Sequence, residues 1–435
     1  MGIWTQARML AERTTDDRNR YVDFLRAVSI LAVVTGHWLI VAIHIDGGAP
    51  SYSDILVLQP QTQWLTWLFQ VMPVFFIVGG YANAVSLESA RRDRASYADW
   101  LARRLNRLVS PLLVLLVAWA GLAAILYFAG VSGSVTRLAS RASLIPIWFL
   151  AIYIMVVVLA PATYAAWRRW RFGSFWALVL LAVLVDVAFF LAGQQWLGWT
   201  NYFWVWLAVH QLGYAWRDGV SGTPRRLLGY AAVAAVILVS LVTQGPYPVA
   251  MAGSPDDGLS NSLPPKFTLL LLGIVQYGVL LSIEAPMRRV LSNLSLWAAT
   301  VLINSMIMTL YLWHLTVMVI LVALAYAAGG FGFGLEPGTE AWWWTRPVWI
   351  GCLYAVLLPV TLLLSPLERR ARAGDAPAPA AGRQVAGATL ICLGVALLAR
   401  YGFGDSPLPY LDIGAFLLVV AGSAASGLLP ASGRR

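Results

Sequence analysis

The sequence predicts an all-α, polytopic transmembrane helical bundle, with a ten-span core followed by about two further C-terminal spans. Three observations predict it. Of 435 residues, 60% are apolar and 11% charged, with a mean hydropathy of +0.72, whereas a soluble domain carries about 25% charged residues. Apolar runs of about 20 residues, the length that crosses a hydrocarbon core, recur along the whole chain. Arginines gather in every second connection, and the connections between are rich in Pro, Gly and Trp, which is the asymmetry of the positive-inside rule.

In order, the apolar segments fall at about 22–44, 64–86, 109–129, 146–167, 174–192, 201–216, 227–243, 267–285, 297–326, 346–366, 385–403 and 411–429. Arg91, Arg92, Arg94, Arg103, Arg104 and Arg107 follow the second; Arg168, Arg169 and Arg171 follow the fourth; Arg217, Arg225 and Arg226 follow the sixth. Arg288 and Arg289 follow the eighth, Arg369, Arg370, Arg372 and Arg383 the tenth, and Arg434 and Arg435 end the chain. Both termini are therefore expected in the cytoplasm. The segment 1–20 is polar, with no apolar run before a small-residue cleavage site, so the first span reads as retained and not as a signal peptide. Four regions result: a cytoplasmic segment 1–19, the core 20–370, a Pro/Ala linker 371–384 (ARAGDAPAPAAGRQ) and a C-terminal pair of spans 385–435. Trp196, Trp199, Trp204, Trp342, Trp343 and Trp344 fit an aromatic belt at the outer interface.

The net charge of +10 resembles a nucleic-acid footprint, but Lys266 is the single lysine and the arginines sit in short loops, so no nucleic-acid partner is expected. Cys352 and Cys392 lie in apolar segments without CxxC or metal spacing. They read as small core residues, and no metal site is expected.

The first span holds the most informative chemistry. Arg26 and His37 are eleven residues apart, about 1100° of helical rotation, which leaves them ~20° apart on one face and ~16 Å apart along the axis. With Arg26 at the cytoplasmic interface, His37 sits near mid-membrane. An ionisable group there is expensive, and a histidine can act as a base at neutral pH; the plainer reading is a histidine satisfied by an interhelical hydrogen bond. Asp23 is placed to pair with Arg26 at i,i+3. Arg20 reads as an interface anchor, and His44 continues the same face toward the outer interface. Arg104 and Arg107, i,i+3 at the entry to the third span, can offer two guanidinium groups to one phosphate, or can be topology charges alone. Other polar residues inside spans are Asp186, a substrate contact or, by preference, a helix–helix tie, His210, read as structural, Gln276, Asn304 and His314. His314 either lines an acceptor cavity or makes an interhelical hydrogen bond. Glu284, just before Pro286 and Arg288, fits a surface ion pair.

These blocks together resemble the acyltransferase 3 family of integral membrane acyltransferases. The resemblance is carried by Arg26-x10-His37 with Asp23 before it, by Phe75-Phe76-Ile77-Val78-Gly79-Gly80-Tyr81, and by Arg104-x-x-Arg107. It is carried further by Ile147-Trp148-Phe149-Leu150 with Tyr153, by Leu212-Gly213-Tyr214, and by Tyr311-Leu312-Trp313-His314; it covers about 18–368. It implies transfer of an acyl group, acetyl or another short acyl, from cytoplasmic acyl-coenzyme A to a hydroxyl or amine of a surface carbohydrate, lipid or small-molecule acceptor, with no bound cofactor. By matched position, His37 is the implied catalytic base, Arg26, Arg104 and Arg107 the donor-binding residues and Asp23 their supporting residue. Tyr81, Trp148, Tyr153 and His314 are the implied candidates for an acceptor cavity. One departure is Gly79, where the family usually has serine, which bears on acceptor contacts more than on the chemistry. The arginine-for-lysine and alanine bias suggests a bacterial cytoplasmic membrane. The competing class is a secondary transporter with a proton relay through Asp186 and His37; against it, the two halves share no repeat signal.

Overall fold

A computed structural model describes residues 2–15, 18–46, 49–253, 258–371, 378–405 and 407–429. Arg434, Arg435 and the linker residues 372–377, Arg372 among them, lie outside the described residues. The chain begins with α1 (Ile3–Glu12) and α2 (Arg20–Ile40), then a two-stranded sheet of β1 (Val41–Asp46) and β2 (Ala49–Asp54). Two single turns, α3 (Ile55–Leu58) and α4 (Thr66–Phe69), lead to α5 (Met72–Arg92), α6 (Tyr97–Phe128), α7 (Gly133–Leu144), α8 (Ile147–Trp170) and α9 (Phe172–Leu191). Then come α10 (Asn201–Arg217), α11 (Pro224–Gln244), α12 (Phe267–Ser282), α13 (Glu284–Val290), α14 (Leu294–Ser305) and α15 (Ile307–Ala327). The last three are α16 (Glu340–Ala371), α17 (Ala381–Tyr401) and α18 (Leu411–Ala425).

Helix starts follow the capping chemistry written in the sequence. Asn19 caps α2 by accepting from the Tyr21 amide, and Ser96 and Asp99 form a reciprocal capping box at α6. Thr223 caps α11 with Pro224 at its first position. Asn293 accepts from two amides at the start of α14.

The apolar segments are helical, with corrections at their ends and breaks. Among the described residues, nine helical stretches are long and apolar enough to cross a membrane, ten if the bent pair α12–α13 is one span. The sequence expectation of twelve counts α10 and α18 as well, which have only 17 and 15 residues. α12 and α13 bend by 55°, where Pro286 supplies no amide to the turn. The segment expected at 297–326 is two helices broken at Met306, next to Asn304, whose amide bonds the Thr300 and Asp23 carbonyls. α2 stops at Ile40, so His44 stands on β1 and not on the helical face. The alternation Val41, Ile43, Ile45 favours a strand, and the Ile45 amide donates to the Phe333 carbonyl.

The chain forms two compact units. The first comprises Met1–Ala42, Tyr52–Ser86 and Ala160–Ile307, and the second Ile43–Ser51, Leu87–Leu159 and Met308–Arg435. In the first unit, α1 lays Ala7 and Ala11 toward α14, where Ala11, Trp297 and Ala298 share one buried cluster. α5 and α10 cross at Gly80 and Gly213, so closely that a methyl group on either would lie about 2 Å from a carbonyl oxygen of the other helix. In the second unit, α17 and α18 meet through Gly387, Gly394 and Gly422. This pair bonds back onto its unit: Gln384 donates to the Ala98 carbonyl on α6, Cys392 to the Ala151 carbonyl on α8, and the Phe403 amide to Ser140 on α7. Two further expectations change. Cys352 is exposed on its helix and so is not a core residue. Trp342 is only 1% exposed, stacked under the Arg346 guanidinium at 4.1 Å, and so is not an interface anchor like the exposed Trp344.

Candidate active site

The first unit carries Asp23, Arg26, His37 and Tyr81, and the second carries Arg104, Arg107, Trp148, Tyr153 and His314. Arg26 and His37 share the unbroken helix α2, as their spacing required. Both are half-buried, and His37 lies one turn from the helix end. The arginine end is pinned on several sides. Arg26 Nε donates to Asn304 Oδ1 at 2.8 Å, and its guanidinium is 3.9 Å from Asp23 Oδ1. Asp23 is buried; its Oδ2 takes a 2.7 Å bond from Arg18, and its carbonyl accepts from Asn304 Nδ2. The i,i+3 pairing of Asp23 with Arg26 is thus present. Arg18 and Asn304 complete it without having been assigned a part. Arg18 precedes the helix, where periodicity carries no information, and Asn304 was legible only as a polar residue inside a span.

Tyr81 sits elsewhere in the first unit, 4.9 Å from the Trp216 ring, on the wall of a cleft with Glu284 and Arg288. Glu284 does not pair with Arg288. Its oxygens accept from Asn19 Nδ2 at 3.1 Å and Trp216 Nε1 at 2.8 Å.

In the second unit the aromatic candidates gather on one ladder. Phe149 lies 5.7 Å from Tyr153 and 5.8 Å from Tyr311, Tyr311 lies 6.1 Å from His314, and Trp148 packs on Phe149 at 6.4 Å. His314 is fully buried, and its Nδ1 bonds the Tyr311 carbonyl of its own helix at 2.6 Å. Tyr311 donates to the Pro146 carbonyl, tying α15 to the start of α8. On α6, Arg104 is half-buried with its guanidinium over the Trp100 ring at 5.8 Å, and Arg107 is exposed.

Asp186 is a tie, as expected: it accepts from Asn201, Tyr247 and the Phe267 amide at 2.8–2.9 Å. Those donors hold the connection that ends at Lys266, whose ammonium rests on the Phe189 ring at 3.8 Å. Burial lowers the Lys266 ammonium to about 8 against the pull of Asp186. His210 bonds Asn83 at 3.0 Å between α5 and α10, in keeping with a structural part. On the connection after α10, burial pushes the Asp218 carboxyl up, but hydrogen bonds from Trp167, Arg217 and Arg171 outweigh it and hold the group below the usual carboxylate range.

The helical bundle and its apolar helices define an all-α, multi-pass membrane protein. A family model described as an acyltransferase domain matches residues 19–366. The chain belongs to that family, the acyltransferase 3 family, and is a membrane acyltransferase. The match includes every candidate residue above and stops before the C-terminal pair α17–α18. No curated protein and no solved structure matches.

Proposed function

We propose that this acyltransferase moves a short acyl group from cytoplasmic acyl-coenzyme A to a hydroxyl or amine of a carbohydrate, lipid or small-molecule acceptor, with His37 as general base. The observation that carries the reading is α2 itself. One continuous helix holds a pinned arginine near its start and a half-buried histidine eleven residues on, in a chain of an acyltransferase family. His37 takes the acceptor proton as the acceptor atom attacks the thioester carbonyl. The C–S bond then breaks, and the coenzyme A thiolate leaves and is protonated. Arg26 offers its guanidinium to the donor's negative charge. Arg104 and Arg107 supply the planar donors that suit phosphate oxygens, and Asp23 holds Arg26 in place. Tyr153 and Trp148, both half-buried, offer an aromatic acceptor surface, and the fully buried His314 supports it through Tyr311 and Phe149. Tyr81, the remaining acceptor candidate, lines the cleft beside Trp216 in the first unit. The arginine asymmetry supports a bacterial cytoplasmic membrane with both termini inside.

The deciding experiment is turnover of purified protein with acetyl-coenzyme A, comparing His37→Gln with Arg26→Ala. His37→Gln should lower turnover about 10²–10⁴-fold, the usual worth of acid–base catalysis, with donor affinity little changed. Arg26→Ala should mainly weaken the donor. Full turnover in His37→Gln would remove the histidine from the chemistry. The transporter reading has no comparable support: its relay residue Asp186 already accepts three hydrogen bonds in a structural tie.

A further inference from the structure

The cleft beside Tyr81 encloses about 310 Å³ within the first unit, near the lower end of small-molecule sites. It opens where α2 starts, α10 ends and α13 turns, the end of the unit that carries Arg18, Arg20, Arg217, Arg288 and Arg289. Trp216 and Tyr81 form an aromatic wall, Leu281 lines the apolar side, and Glu284 and Arg288 supply one charge of each sign.

The two charges are held apart. Glu284 and Arg288 stand at i,i+4 on α13, with the acid N-terminal, the order that best favours an ion pair on a helix. Among the described residues Glu284 makes no ion pair. Its two oxygens are turned to neutral donors, Asn19 Nδ2 and Trp216 Nε1. Asn19 is itself fixed, because its Oδ1 caps α2, and Trp216 is held against Tyr81 and Tyr21. A carboxylate is thus presented beside two aromatic rings, and one helical turn away at the rim lies a guanidinium that makes no ion pair among the described residues. A carboxylate with aromatic faces complements an ammonium group; a guanidinium complements a phosphate.

We propose that this cleft binds the zwitterionic headgroup of a phosphoethanolamine lipid, its ammonium against Glu284, Trp216 and Tyr81 and its phosphate at Arg288. The headgroup carries its two charges a few bonds apart, matching a carboxylate and a guanidinium one turn apart. An anionic lipid would leave Glu284 uncompensated, and a simple organic cation would leave Arg288 unused. Tryptophan and tyrosine suit the headgroup level of a bilayer, and Leu281 faces the start of the acyl chains. The inference is independent of the acyl-transfer chemistry at His37.

Native mass spectrometry of the purified full chain tests it, with phosphatidylethanolamine and phosphatidylglycerol added in turn. Phosphatidylethanolamine should be retained preferentially, and Glu284→Gln should reduce its retention about tenfold or more, the loss of one charged hydrogen bond. Arg288→Gln should do the same from the other end. That side chain is exposed, so its replacement stays informative if the Glu284 variant folds poorly. Equal retention of the two lipids, or unchanged retention in Arg288→Gln, would overturn the proposal. Soluble glycerophosphoethanolamine binding as tightly as the lipid would overturn the lipid and put a free headgroup in its place.

Discussion

Replacing Gly80 by alanine is the sharpest structural test of the α5–α10 crossing. A Cβ at Gly80 would lie 1.9 Å from the His210 carbonyl oxygen, 3.0 Å from its carbon and 3.1 Å from Gly213 Cα. Each obstacle is backbone, so no side-chain rotation relieves it. The helices must separate by 1.1 Å or more before the closest contact reaches 3.0 Å. Overpacking of a tight interior costs about 1–3 kcal/mol, and with backbone on both sides the upper end applies. Gly213→Ala meets the same crossing from the other side, at 2.0 Å from the Ile77 carbonyl oxygen. The double variant should cost less than the sum of the two, because one separation serves both methyl groups. Thermal unfolding of the purified protein in detergent reads the effect, with an expected fall of about 2–3 °C for either single variant. The crossing also sets Tyr81 against Trp216, so headgroup retention should fall in parallel. A Gly80→Ala midpoint within about 1 °C of the parent would show that the crossing yields easily, and the packing argument would fail.

Arg104→Ala should raise the donor's Michaelis constant by the equivalent of about 1.5–3 kcal/mol, and the exposed Arg107 should contribute toward the low end of that range. Both effects should shrink as salt rises, and donor kinetics indifferent to both substitutions would make these arginines topology charges alone. Asp218→Asn should destabilise the protein at neutral pH by about 1 kcal/mol. Because the folded state holds this carboxyl below its ordinary range, its contribution is complete above the unfolded carboxylate pKa and is lost as pH falls through the folded one. The difference in unfolding midpoint between parent and variant should therefore vanish in acid, and a difference that persists there would assign the effect to packing.

Much of the protein was legible in the linear sequence because the governing forces are local or one-dimensional. The length of each apolar run fixes whether a helix can span a membrane. Charge asymmetry sets an expected orientation, and the eleven-residue spacing puts Arg26 and His37 on one face of one helix, where the structure has them. Other features depend on which segments meet, and no window of sequence contains that. The turn of the chain into a strand at Val41 goes with a hydrogen bond from the Ile45 amide to the Phe333 carbonyl, far along the chain. Arg18 and Asn304 completed the arginine network from a polar tail and from a helix about 280 residues away. From its place just before Pro286 and Arg288, the sequence alone puts Glu284 in a surface ion pair. Only tertiary structure, by bringing Asn19 and Trp216 to its two oxygens, decided that the pair stays open, because a hydrogen bond goes to the donor that packing delivers, and spacing along one helix cannot say which donor that is.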